Sequence, residues 1–354
     1  MPPTHLPHTG GAGAETLAAA RLLLTQMGIS PADLIESLPA APTFAEAIPL
    51  VRARLAAGTA RTYGTHLSLL ESLWPNRSLS EPTHHELEEL ATSVQAGART
   101  NRASRGGTSA MEHFVSAVRR VYRHAEDSGW IRPQDNPARR LSMPVRRTSH
   151  RYAIPSPQLA EICHTAATTG DDPALDSLLL RLHLETACRR GGGLALRPQD
   201  LDPDQCLVWL REKGGSDRWQ PVSPTLMAHL RNHADERGAP YSGQLLRYRH
   251  GRPISSRRYD HLWGRVGTDL PWVATQGITT HWLRHTTLTW VERTFSYAVA
   301  RAYAGHRGKR GGVTETYVKS DIHEVSAAVS ALTGEPHPLA LSSSIPATAL
   351  PAPR

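Results

Sequence analysis

Along the first half of this chain apolar residues recur every three or four positions, the period of helices that each bury one face. Leu17, Leu22, Leu23 and Leu24 mark a helix over Glu15 to Met27, with a short turn expected over Asp33 to Leu38. Thr43 is placed to cap a helix carrying Phe44, Ile48, Val51 and Leu55. Tyr63, Leu67, Leu70 and Trp74 form the stripe of the next, over Ala60 to Leu73, which Pro75 ends. Leu87 and Leu90 sit in a helix from Thr83 to Val94, and the run from Gly97 to Thr108, rich in Arg and Gly, reads as a loop. The helix over Ser109 to Ser128 sets Met111, Phe114, Val118, Val121, Tyr122 and Ala125 on one side, and Arg119, Arg120 and Arg123 extend a basic surface.

Beyond Asn136 and Pro137 the pattern changes. Ala138 to Tyr152 holds Arg139, Arg140, Arg146, Arg147 and Arg151 with Pro144, a composition for an extended linker that either follows a DNA backbone or is a solvated connector. Ser156 is expected to cap a helix to Thr168. Asp172 to Arg190 reads as a long apolar helix, broken by Gly191, Gly192 and Gly193, with Arg189 at its end. Cys206 to Arg211 and Arg218 to Val222 read as two strands around a turn from Lys213 to Asp217. Helices follow over Thr225 to Arg237, Tyr259 to Thr268, His281 to Arg293 and Tyr297 to Tyr303, with Tyr297 and Tyr303 assigned to the core. Asp321 caps a last one, Ile322 to Leu332, whose apolar stripe packs on its own domain or on a neighbouring copy. After Gly334 the Pro-, Ala- and Ser-rich tail is expected to be disordered. The resulting division is an extension 1–42, a helical domain 43–137, a basic linker 138–153, a second domain 154–335 and a tail 336–354. The fold class is mainly α with a small antiparallel β-sheet.

Composition narrows the partners. A chain of 354 residues, 39% hydrophobic, suits two folded domains. No run of about eighteen apolar residues offers a membrane span, and the start lacks the pattern of a secretory signal. Cys163, Cys188 and Cys206 have no CxxC spacing, which fits a reducing compartment. The expected location is cytoplasmic, at the nucleoid, with no membrane partner. A formal net charge of +8 and a pI near 9.7 suit a polyanion partner, although charge alone would also fit a plain basic surface. Its distribution is more telling, because twelve arginines lie from Arg99 to Arg151 against Glu112, Glu126, Asp127 and Asp135. The candidate DNA contacts are Arg99, Arg102, Arg105, Arg119, Arg120, Arg123, Arg139, Arg140, Arg146 and Arg147.

The chemistry-bearing residues come later. Thr279 to Thr286 contains His281, Arg284 and His285; Gly305, His306 and Tyr317 follow, and Arg189 and Lys213 precede. The run from Glu185 through Arg189 to Leu196, Lys213 in its hairpin, His281-Trp282-Leu283-Arg284, Gly305-His306 and Tyr317 together resemble, in order, the tyrosine recombinases or phage integrases. The resemblance spans about Thr43 to Leu332. It implies a helical, SAM-like core-binding domain joined to an α+β catalytic domain, with Arg189, Lys213, His281, Arg284, His306 and Tyr317 as catalytic residues. It also implies double-stranded DNA with specific recombination sites as partner, a 3′-phosphotyrosyl link with a free 5′-hydroxyl, and strand exchange through a four-way junction in a homotetramer assembled from subunits that can be monomers in solution. The activity expected is that of an integrase or excisionase of a mobile element, with no cofactor and no metal.

Residue chemistry points the same way. A phosphodiester is an anion with a poor leaving group, so cleavage without a metal needs cationic donors, a nucleophile and an acid. Arg189 and Arg284 suit the first task through their planar guanidinium forks. Tyr317 suits the second, and its phenol, with an ordinary pKa of about 10, needs a base, for which His281 is placed; His306 could bond phosphate or phenol. Lys213 suits the third, since an ammonium gives up a proton and a guanidinium does not. It is one of three lysines, with Lys309 and Lys319, in a chain that otherwise writes arginine. His281 and His285 have a zinc-like spacing, but Trp282 stands where a metalloprotease has Glu; His285 is expected to be buried and supporting.

Three departures stand out: Gly192 where relatives usually carry an acid that orients the first arginine, the run Gly191-Gly192-Gly193 that would leave that helix end mobile, and a longer loop, Arg307 to Gly312. Two other functions share the features: a DNA-binding regulator that kept the fold without catalysis, and a type IB topoisomerase.

Overall fold

The structure is a computed structural model describing residues 13–28, 40–98, 106–145, 151–212, 217–305 and 321–340. The chain divides into two compact units, Met1–Arg147 and Thr148–Arg354.

In the first unit α1 (Ala14–Gln26) buries none of its side chains. The expected turn over Asp33 to Leu38 lies outside the described residues, as do residues 99–105 of the expected loop. Four helices, α2 (Phe44–Ala53), α3 (Ala57–Leu73), α4 (His84–Ala96) and α5 (Thr108–Asp127), close around Phe44, Ile48, Leu67, Leu70, Leu87, Phe114, Val118 and Tyr122. Thr43 and Thr83 open α2 and α4 with reciprocal capping boxes to Glu46 and Glu86, satisfying backbone N–H groups that a helix start leaves unpaired. The start of the expected linker is not extended. Pro137–Arg139 form a single 3₁₀ turn closed by Asn136 Oδ1, which accepts the Ala138 N–H at 2.8 Å, and Ala138 and Leu141 enter the core because they are apolar and within its reach.

The second unit contains α6 (Ser156–Thr168), α7 (Pro173–Thr186), α8 (Arg190–Leu194), β1 (Leu201–Asp202), β2 (Leu207–Leu210), β3 (Arg218–Pro221), α9 (Pro224–Glu236), α10 (Ser256–Asp269), α11 (Pro271–Gln276), α12 (Thr280–Thr294), α13 (Tyr297–Tyr303) and α14 (Ile322–Thr333). The strands form an antiparallel sheet in the order β1-β2-β3, with Trp209 opposite Trp219 and Leu210 opposite Arg218. The mainly α class with a small antiparallel sheet is therefore what the chain adopts. α7 is its axis: Leu175, Leu178, Leu179, Leu180 and Leu182 are buried, with α6, α9 and α12 packed around them.

Four expectations need correction. The long helix over Asp172 to Arg190 stops at Thr186, because Ala187 takes a left-handed backbone (φ 49°); the three glycines, rather than breaking a helix, lie inside α8. Ser156 is the first helical residue, with Pro155 in the cap position. Tyr303 is buried but Tyr297 is 60% exposed. Finally, residues 335–340 pack back on the unit: Glu335 accepts from Arg181 Nη2 (2.8 Å) and the Thr225 N–H (3.0 Å), and the buried His337 ring lies 3.2 Å from the Cys206 carbonyl oxygen. Polar partners, invisible in a composition of Pro, Ala and Ser, hold this segment; residues 341–354 lie outside the described ones. The α14 stripe packs on its own unit, with Val325 and Val329 against Val291, Val299 and Tyr303. Among the described residues no helix is long and apolar enough to cross a membrane.

Candidate active site

α12 delivers two of the site residues to different environments. Trp282, Leu283 and Thr287 face inward, and Thr287 Oγ1 donates to the Leu184 carbonyl at 2.7 Å, fixing α12 along α7. Arg284 shares that buried side, so its guanidinium needs polar partners. It donates to the carbonyls of Ala187 and Ala304, the latter at 2.7 Å, and Nη1 lies 3.9 Å from Glu212 Oε2. Burial and, next, the charge of Arg189 push its pKa down to about 10, which leaves it charged at neutral pH. His281 lies one turn earlier on the exposed side, its ring edge-on to His285 with centroids 5.4 Å apart. Partial withdrawal from water, then the neighbouring Arg151, His285, Arg284 and Arg189, lower its pKa to about 4, so the free imidazole is neutral and able to accept a proton. His285 is half-buried rather than buried.

Arg189 reaches the site because the left-handed Ala187 turns the chain off the α7 axis and leaves Arg189 extended at the start of α8. Its backbone N–H donates to Glu212 Oε1 and its Nη1 to Glu212 Oε2 at 2.8 Å. Sequence reasoning missed Glu212, and a signal was available. Val208, Leu210 and Glu212 alternate on one side of the hairpin, and all are buried, so the acid continues an inward face. Arg218 pairs with Leu210 across the strands and therefore points to the same side; its Nη1 is 3.0 Å from Glu212 Oε2. Burial alone would raise the Glu212 carboxyl, but the Arg189 N–H and the guanidiniums of Arg218 and Arg284 hold it below the usual carboxylate range.

A cavity of about 590 Å³ opens beside this cluster, lined by Arg189, Gly192, Tyr259, Trp263, Thr280 and His281 among others. Arg189, Arg284 and His281 are thus brought together. Lys213, His306 and Tyr317, and the Arg307 to Gly312 loop, lie outside the described residues. Gly305, which precedes His306, has φ 67°, a left-handed backbone that favours glycine, and a Cβ there would come within 2.5 Å of Arg218 Nη1. Among the described residues no group of three or more His, Cys, Asp or Glu side chains is placed to hold a metal ion.

In the first unit Arg119, Arg120 and Arg123 line a groove of about 400 Å³ with Arg54 and Tyr63. Arg119 is anchored by a bond to the Leu141 carbonyl. Arg139 is paired with Glu126 at 2.7 Å, and Arg140 is exposed. Arg99, Arg102, Arg105, Arg146 and Arg147 lie outside the described residues.

Comparison with known proteins adds a family profile, one relative and three solved structures. The profile of the Phage integrase family matches residues 153–324. Tyrosine recombinase XerC of Chromobacterium violaceum is 25% identical over 203 residues, which is 57% of this chain and 65% of that relative, under two thirds of its length. Among solved structures, a lambda integrase dimer bound to a COC′ core site matches with TM-score 0.57 at 13% identity over 88% of each chain. A lambda integrase tetramer bound to a Holliday junction matches with TM-score 0.57 at 14% identity, over 84% of this chain and 88% of that one. The Tn1549 transposon integrase in complex with a circular intermediate DNA gives TM-score 0.58 at 14% identity, over 79% of this chain and 96% of that one. Residues 153–324 are thus similar to the phage integrase family, the tyrosine recombinases.

Proposed function

We propose that this chain is a site-specific DNA recombinase that cuts and rejoins strands through a 3′-phosphotyrosyl intermediate, as the integrase or excisionase of a mobile element. Arg189 and Arg284 grip the non-bridging oxygens of the scissile phosphate, and Tyr317 attacks the phosphorus. His281 takes the phenolic proton, Lys213 protonates the departing 5′-oxygen, and His306 bonds to the phosphate. The phosphotyrosyl ester keeps the energy of the broken bond, so a 5′-hydroxyl of a second strand reverses the step without ATP. The partner is double-stranded DNA with paired sites, on which four copies assemble. Arg119, Arg120 and Arg123 contact the backbone through the first unit, and Arg99, Arg102, Arg105, Arg139, Arg140, Arg146 and Arg147 add to that contact.

The observation that carries this reading is the convergence of Arg189 and Arg284 on one carboxylate, Glu212, with the neutral His281 in the adjoining cavity. Positive groups held rigid before the substrate arrives are what a phosphoryl transition state requires.

The test uses a duplex cloned from DNA flanking the gene and nicked near the cleavage point, so that the short 5′-hydroxyl fragment diffuses away and the intermediate is trapped. A covalent protein–DNA species should form and be lost completely in Tyr317→Phe. Tight binding with no covalent product from the wild-type chain would assign the regulator instead. Efficient relaxation of supercoiled DNA lacking the site would assign the topoisomerase.

A further inference from the structure

Glu212 is a fully buried carboxylate surrounded by cations. Its two oxygens receive the Arg189 N–H, Arg189 Nη1 at 2.8 Å and Arg218 Nη1 at 3.0 Å, with Arg284 Nη1 at 3.9 Å. A carboxylate taken from water needs such partners to stay ionised. Three guanidiniums in one place need an anion equally, since like charges at these separations repel strongly when solvent is excluded. Bonding to both the peptide and the side chain of one arginine fixes that residue at two points.

The position opposite is Gly192. A Cβ added there would lie 3.1 Å from both Cγ and Oε1 of Glu212, tighter than an ordinary contact, so a long side chain at 192 would press on the Glu212 carboxylate. An acidic residue was expected at 192, and the chain has glycine; an acid from the hairpin fills the space that the glycine leaves.

We propose that Glu212 is the positioning residue of the cleavage reaction, holding Arg189 and Arg284 in register with the scissile phosphate from the hairpin, and that Gly192 is the vacancy which admits it. This rests on the recombinase reading above. Glu212 touches no substrate atom; it acts through the arginines, setting where their N–H groups point and lowering the cost of crowding them. The glycine and the acid are one unit, so neither position tolerates change alone.

The test measures single-turnover formation of the covalent complex by the full chain at saturating nicked duplex. Wild type is compared with Glu212→Gln, Glu212→Gly, Gly192→Glu and the exchange Gly192→Glu with Glu212→Gly. Glu212→Gln keeps the shape and removes the charge, and it should slow cleavage roughly 10²-fold, the scale for small misplacements of a catalytic group, with DNA affinity changed less. Each glycine-site single variant should be impaired, and the exchange should recover to within about tenfold of wild type, since a shared role makes the two changes non-additive. A duplex with a methylphosphonate at the scissile position gives the arginines less charge to stabilise, so there the Glu212→Gln penalty should shrink to about tenfold or less.

Cleavage by Glu212→Gln within about threefold of wild type overturns the proposal, being far below the loss that misplacement brings. So does an equal penalty on both duplexes, the mark of a purely structural loss, or an exchange variant no better than Glu212→Gly alone. Should Glu212→Gln fail to fold, the exchange variant decides by the same criterion. No covalent complex from the wild-type chain would overturn the recombinase reading itself, an outcome distinct from all of these.

Discussion

His281 has to be neutral to take a proton from a phenol, and its surroundings keep it so. It is partly withdrawn from water with Arg151, Arg284 and Arg189 nearby, and it titrates at about 4, where an ordinary imidazole titrates near 6.5. In the free protein its ring resonances should move with a midpoint near 4 in a pH titration by NMR; a midpoint near 6.5 would remove the reason for its neutrality. The linkage has a definite sign. Between about 6.5 and 4 the unfolded chain takes up a proton that the folded chain refuses, so His281 costs stability progressively as pH falls through that window and nothing above it. His281→Asn should therefore lose less stability than wild type on acidification from pH 7 to 4.5, read by urea unfolding at each pH. His281 and Arg284 were visible in the sequence because their three-residue spacing on one helix stands in order with Arg189, Lys213, Gly305-His306 and Tyr317. The alternation of Glu212 with Val208 and Leu210 was legible too, but its role was not, because that role exists only once a hairpin brings it 23 positions back along the chain to Arg189.

The α5 helix shows why the helical skeleton could be read and the turns could not. Its apolar positions Phe114, Val118, Val121, Tyr122 and Ala125 are all buried, as their spacing requires, while Arg123 on the other side is exposed. Phe114→Ala should cost the first unit about 3–5 kcal/mol, the loss for a buried phenylalanine. Arg123→Ala should change stability by less than about 0.5 kcal/mol. Equilibrium unfolding of each variant checks both values, and an equal effect would mean that the apolar face is not what holds the helix. Periodicity had no such hold on the α7–α8 junction. Ala187 is left-handed without being glycine, an uncommon choice for an L-residue, and three successive glycines beyond it suggested the break in the wrong place. The bonds that settle the matter are tertiary as well as local: the Ala187 N–H donates to the His183 carbonyl, and the Ala187 carbonyl accepts from Arg284. A one-dimensional pattern carries neither. The packing of residues 335–340 escaped for the same reason, resting on Glu335 and His337 rather than on an apolar stripe.

Across the whole molecule the charge has a division of labour. In the second unit the arginines nearest the candidate site converge on Glu212, three guanidiniums to one carboxylate, so an excess of positive charge is left for a phosphate, while others are paired with Asp172 and Asp176. In the first unit Arg120 and Arg123 line an open groove beside Arg119. If DNA is the polyanion that the net charge of +8 anticipates, each groove arginine that meets a phosphate releases counterions on binding. The slope of log K against log salt then becomes shallower by about 0.9 for each such arginine replaced by a neutral residue. Arg120→Ala with Arg123→Ala should make that slope shallower by about 2 while weakening site and non-site DNA alike, because phosphate contacts position a protein without reading bases. The ratio of the two affinities should stay near its wild-type value, and the rate of covalent-complex formation at saturating DNA should too, since the altered side chains belong to the first unit and the cleavage chemistry is assigned to the second. Fluorescence anisotropy across a salt series measures the slope. An unchanged slope would mean that DNA does not lie along α5, and a collapse of the site-to-non-site ratio would mean that these arginines read bases rather than backbone.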